Sequence, residues 1–109
     1  MAFTQLGPDI DGEASGDGSG RSVSLSSDGS VLAIGASGNN GNGPSSGHTR
    51  IYQWDSDSSS WNQLGSDIDG EVPRDFSGRR VSLSSDGSIV AIGTAYNDAK
   101  GPNTGHVRI

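Results

Sequence analysis

The sequence predicts an all-β chain made of two copies of one four-stranded antiparallel unit, and three observations carry that expectation. The first is an internal repeat. Gln5-Leu6-Gly7 recurs at Gln63-Leu64-Gly65, the run Val23 to Ser30 recurs at Val81 to Ser88, and Gly47-His48 recurs at Gly105-His106, each at an offset of 58 residues. Residues 5–51 laid over 63–109 without gaps give 30 identities in 47 positions, more than shared composition explains. The second is that short runs of β-type alternation are separated by Gly, Asn, Asp and Ser, with no stretch showing the period of an amphipathic helix. The third is a composition too poor for a private core, since 29% of the 109 residues are apolar and 18 are Gly. Alone, that composition fits a low-complexity segment. Units that bury their faces on one another, however, need little core of their own.

The elements of one repeat follow in order. Arg21 to Ser26 alternates polar and apolar residues and is expected to be a half-buried strand. Ser27-Asp28-Gly29-Ser30 reads as a hairpin in which Gly29 takes a positive φ. Val31 to Ala36 is apolar on both faces, so it is expected to be covered on both sides. After a loop rich in Asn and Gly at 38–46, His48 to Trp54 gives a third strand, Asp55 to Ser60 a polar hairpin, and Trp61 to Leu64 a fourth strand. Four antiparallel strands per 58-residue unit point to the blade of a β-propeller, with a sandwich or barrel of the same strands as the alternative.

In the sequence as it stands, Ile109 aligns with Ile51, inside the third strand, and Phe3-Thr4-Gln5-Leu6 aligns with Trp61-Asn62-Gln63-Leu64, a fourth strand with no blade before it. The expected organisation is an N-terminal strand and linker over 1–12, an intact blade over 13–66, and a second blade lacking its fourth strand over 67–109. Two blades cannot close a ring. The expected fold is therefore a β-propeller formed by oligomerisation, one blade of each chain being completed by strand exchange with a second copy. Phe3, Gln5 and Leu6 on the donated strand, with Val107 and Ile109 on the receiving one, are the expected assembly residues. Propellers have roughly four to eight blades. A homotrimer of six or a homotetramer of eight is expected, the trimer first because it needs fewer joints.

The run Gly16-Asp17-Gly18-Ser19-Gly20-Arg21, continuing through Ser27-Asp28-Gly29-Ser30 to Ala36, resembles the FG-GAP repeat of integrin α-type propellers. In the second copy Asp75-Phe76-Ser77-Gly78 supplies the aromatic, and the resemblance covers nearly all of both units. It implies a propeller, roles in adhesion or carbohydrate binding more than catalysis, and an extracellular setting. Many blades of this kind bind calcium through oxygens at the first, third, fifth and ninth positions of an acidic hairpin. With Asp28 as the fifth, those positions hold Ser24, Ser26 and Leu32; around Asp86 they hold Ser82, Ser84 and Val90. One carboxylate, two hydroxyls and a hydrocarbon cannot supply the oxygens calcium requires, so no calcium is expected there.

Charge and motifs narrow the function classes. A net charge of −6 repels phosphate backbones, no apolar run approaches the ~20 residues of a membrane span, and zero cysteines leave no disulfide or thiolate metal site. Neither nucleic acid nor membrane is an expected partner. The acidic clusters Asp9-Ile10-Asp11-Gly12-Glu13 and Asp67-Ile68-Asp69-Gly70-Glu71 could hold a cation between blades, but turn chemistry linking the blades is the preferred reading. Asp55-Ser56-Asp57 reads as a solvated hairpin. His48 and His106 occupy equivalent positions, which favours a structural hydrogen bond over a metal or catalytic role. With no nucleophile elbow, no enzyme activity, metal or cofactor is expected. Trp54, Trp61 and Tyr96 either line a sugar site or pack the outer hairpin of a blade. The expected function is that of a non-enzymatic, self-assembling propeller scaffold, with carbohydrate or protein binding as the alternative.

Overall fold

A computed structural model describes residues 4–40, 43–71, 74–94 and, for backbone alone, 106–108. The fold is all-β: among the described residues there is no helix, and hence none long and apolar enough to cross a membrane. Strands β1 (Ser19–Leu25), β2 (Val31–Ala36), β3 (His48–Asp55) and β4 (Ser60–Asp69) form one antiparallel sheet in the order β1-β2-β3-β4. A second sheet has the order β5-β6-β7, from β5 (Arg80–Leu83), β6 (Val90–Thr94) and β7 (His106–Arg108).

The first hairpin of each sheet is closed by one carboxylate. Asp28 accepts hydrogen bonds from Ser26 Oγ (3.0 Å), Ser30 N (2.9 Å) and Ser30 Oγ (2.7 Å), while Gly29 turns the chain at φ 76°. Asp86 repeats this with Ser84 Oγ (2.9 Å), Ser88 N (3.0 Å) and Ser88 Oγ (2.7 Å). The Ser88 hydroxyl and amide hold the Asp86 carboxyl down to about 2. These carboxylates are spent on closing their own turns.

The two sheets stack through equivalent strands. Ser22 Oγ and Ser24 Oγ each accept a hydrogen bond at 3.0 Å, from Val81 N and Leu83 N respectively, and Ser27 N donates to Ser85 O at 2.8 Å. Farther out, Gly47 and Ser77 form a parallel bridge. The approach is close enough that a Cβ on Gly35 would collide with the carbonyl of Gly78, and one on Gly87 would stand 2.8 Å from Val31. The apolar core is correspondingly small: Val31, Ala33, Ile34, Ala36 and Ile92. Backbone proximity and serine hydroxyls replace large side chains here, which is how so apolar-poor a chain packs two sheets.

Alternation on β1 turns Ser22 and Ser24 to the second sheet and leaves Val23 and Leu25, on the opposite face, 60% and 57% exposed. Their counterparts Val81 and Leu83 are half-buried, and Ile92, the cross-strand neighbour of Val81, is 2% exposed. Residues 4–18, before β1, carry no strand and run over the face that holds Trp54 and Trp61. Trp61 Nε1 donates to Leu6 O at 3.2 Å, and a Cβ on Gly7 would stand 2.8 Å from the Trp54 ring. Within this segment Gly7 has φ 75° and Gln5 Nε2 donates to Asp9 Oδ1 at 2.8 Å. In β4, Gly65 has φ 71° and Gln63 Nε2 donates to Asp67 Oδ1 at 2.7 Å. Residues 5–9 thus hold the local shape of residues 63–67 outside any sheet.

Three expectations need correction. The first strand begins at Ser19 and ends at Leu25, displaced from Arg21 to Ser26. The fourth runs from Ser60 to Asp69, well beyond Trp61 to Leu64. Asp67, Ile68 and Asp69 are consequently strand residues and not a turn. The cause is a bulge between Thr49 and Ile51, where the ladder shifts register and Gly65 absorbs the kink, letting pairing resume at Ile68 and Asp69.

Candidate functional site

The bulge brings β4 back alongside β3 with Asp67 next to Arg50. Alternation on β3 places His48, Arg50, Tyr52 and Trp54 on one face, the face crossed by the N-terminal segment. Arg50 grips Asp67 with both arms of its guanidinium, Nε to Oδ1 at 2.7 Å and Nη2 to Oδ2 at 3.0 Å, and Nη2 also reaches Glu13 Oε2 at 2.7 Å. Such forked pairing fixes geometry as well as charge. Glu13 is held from the other side by Asn39 Nδ2 at 2.8 Å, and the same amide donates to the buried Asp17 at 2.9 Å.

Beside these ion pairs lies His48, with its side chain 5% exposed. Its Nδ1 has no hydrogen-bond partner and stands 3.9 Å from both Glu13 Oε1 and Asp67 Oδ2. The structural hydrogen bond expected of this histidine is absent at Nδ1, because the nearest acceptors stop more than half an ångström beyond reach. A cavity of about 10 Å³ opens here, lined by Glu13, His48, Arg50 and Tyr52 among others. It is about the size of one water-sized sphere.

Electrostatics follow from the contacts. The hydrogen bond from Asn39, reinforced by Arg50, lowers the Glu13 carboxyl below its usual value. The Arg50 fork holds Asp67 down to about 2, and Asp67 in turn raises the guanidinium. Two carboxylates against one guanidinium leave Glu13, Arg50 and Asp67 with one net negative charge beside the His48 ring. A carboxyl whose folded pKa is depressed contributes stability above its unfolded value, near 3.8, and loses it as pH falls toward about 2. The chain is therefore expected to lose on the order of 1 kcal/mol between about pH 4 and pH 2 through Asp67, discounted for its partial exposure. Urea midpoints measured across that range check this, and in Asp67→Asn that part of the acid dependence should vanish.

Trp54 and Trp61 come together edge to face, with ring centroids 5.3 Å apart across the β3–β4 hairpin. Beside them an open depression of about 350 Å³ is lined by Gln53, Trp54, Asp55, Asn62 and Leu64. Leu6 is 51% exposed, Gln5 is exposed on the same segment, and Val107 pairs with Gly93 through the β7 backbone. Tyr96, Phe3 and Ile109 lie outside the described residues.

In the sequence His48 and the two acidic clusters stand apart, and Arg50 carries no motif of its own. The signal was there: Glu13, His48 and Arg50 recur as Glu71, His106 and Arg108, and Asp67 recurs as Asp9, at the one offset of 58. What hid the cluster was distance along the chain, since Glu13 and Asp67 meet only when a segment before β1 folds across β3. No described protein family, curated protein or solved structure matches this chain.

Proposed function

We propose that the chain is a pair of β-propeller blades that assembles with copies of itself into a closed, non-enzymatic ring. One observation carries the reading: the close glycine and apolar contacts between the two sheets have unfilled counterparts 58 residues away. Gly35 is packed on Gly78, whereas a Cβ on the equivalent Gly20 would meet nothing within 4 Å and one on Gly93 only Arg80 of its own sheet, at ordinary contact distances of 3.6 and 3.7 Å. Val31 is 6% exposed beneath Gly87, whereas Ile89 is 55% exposed and nothing lies within 4 Å of a Cβ on Gly29. Val81 and Leu83 are half-buried, whereas Val23 and Leu25 are exposed. The far face of the second sheet is therefore the complement of the open face of the first. Head-to-tail addition of a second copy would repeat a contact the chain already makes.

The N-terminal segment adds to this support. Residues 5–9 carry the positive-φ glycine and the Gln–Asp hydrogen bond of a fourth strand, and among the described residues they pair with no strand. Laid beside the outer edge of a neighbour's β7, they would complete its sheet as β4 completes the first. Light scattering is expected to give a native particle of three or four times the 11.1 kDa chain mass, and deletion of residues 1–9 to abolish it. A monodisperse monomer of the intact chain would refute ring assembly.

A further inference from the structure

We infer that Glu13, His48 and Asp67 form a binding site for a divalent first-row transition ion of the zinc class. Three candidate ligand atoms, one from each residue, lie within 4.8 Å of one another. The imidazole supplies the independent observation: its side chain is 5% exposed, its Nδ1 has no hydrogen-bond partner, and that atom is equidistant, at 3.9 Å, from a Glu13 and an Asp67 oxygen. Leaving a buried nitrogen unpaired costs free energy that a ligand would recover. A cavity of about 10 Å³ at Glu13 and His48 leaves room for one small occupant.

The donor set selects the ion. Calcium and magnesium take oxygen ligands in sixes to eights, whereas one imidazole nitrogen with two carboxylates suits zinc, cobalt or nickel. Donors about 2.1 Å from a tetrahedral zinc stand roughly 3.4 Å apart. The observed 3.9 Å therefore asks for an inward shift of about half an ångström, which the long side chain of Glu13, 45% exposed, can make. Arg50 takes Glu13 Oε2 and fixes the Asp67 carboxylate from the side, orienting both acids as outer hydrogen bonds commonly orient metal ligands. Glu13 comes from the segment before β1, His48 from β3 and Asp67 from β4. A bound ion would tie the N-terminal segment to the sheet it crosses.

The test is a calorimetric titration of the untagged, metal-free chain with zinc chloride and, separately, calcium chloride. The nitrogen resonances of the His48 ring are followed in parallel. Zinc should bind and shift those resonances while calcium at the same concentration does neither, and zinc should raise the melting temperature. Glu13→Gln changes an exposed, nearly isosteric side chain and should weaken zinc binding about tenfold or more with an unchanged circular dichroism spectrum. Cobalt should give a visible absorption band that is lost in Glu13→Gln. Absence of zinc binding, or zinc binding that Glu13→Gln and Asp67→Asn both leave intact, overturns the assignment, and a cavity filled by water alone is the first of those outcomes.

Discussion

In the proposed ring, Gly93→Ala is expected to block assembly while leaving the chain folded. Within the chain the position has room, since the nearest atom to an added Cβ is Arg80 Cβ at 3.6 Å, an ordinary contact. In a ring the same position becomes the copy of Gly35, whose Cα faces the Gly78 backbone with no space for a methyl group. A partner's Gly20 would stand where Gly78 stands. The substitution should leave the melting of the isolated chain within about 2 °C of the parent, as surface changes usually do. Light scattering should meanwhile fall to the mass of one chain. Overpacking a close joint costs roughly 1–3 kcal/mol, and a ring of n chains meets that cost n times. If Gly93→Ala retains the parent mass, the joint between copies does not repeat the joint within the chain.

The same substitution at the equivalent position in the first sheet has the opposite outcome. Gly35 lies in β2 between Ser22 of β1 and Thr49 of β3, and the atom its Cβ would meet is a backbone carbonyl of the second sheet. A flexible side chain could swing away, but Gly78 cannot: a Cβ there would itself meet His48 O, so the backbone is wedged on both sides. Gly35→Ala should therefore cost about 3 kcal/mol, the upper end for overpacking. At roughly 4–8 °C per kcal/mol for a chain of this size, that lowers the melting temperature by about 12–24 °C. Gly16→Ala, at a site with nothing within 4 Å, controls for the loss of a glycine as such and should cost only the left-handed strain of about 1 kcal/mol. A Gly35→Ala chain that melts with the parent would mean that the two sheets are not packed as closely as described.

The strands of the first sheet were legible because their signals are local. β2 runs from Val31 to Ala36, as its two-faced apolar run predicts, and Gly29 takes the positive φ that the hairpin requires. β4 was read too short because Gly65, Ser66 and Asp67 are turn-forming residues by composition. Pairing to β3 overrides that preference through a bulge, and nothing in residues 65–67 alone announces a partner strand. The site was less legible than the fold. Arg50 reads as one charged residue among alternating strand positions until Asp67 and Glu13 arrive from 17 and 37 residues away. The fate of His48 depended on a gap of 3.9 Å, which no pattern encodes.

The serine contact between the sheets has a consequence for symmetry. Ser22 accepts the Val81 amide, but the residue at its place in the second repeat is Arg80, which can only donate. Ser24 is matched by Ser82, so one of the two hydroxyl bonds can recur between chains and the other cannot. A closed particle of these chains would then contain two kinds of seam in strict alternation, the covalently linked one carrying both bonds and the other carrying one. Its true rotational order would be the number of chains and not the number of blades. A neighbouring copy cannot slip round by a single blade without trading one seam for the other. On dilution such a particle should part at the poorer seams, shedding whole chains and never half of one.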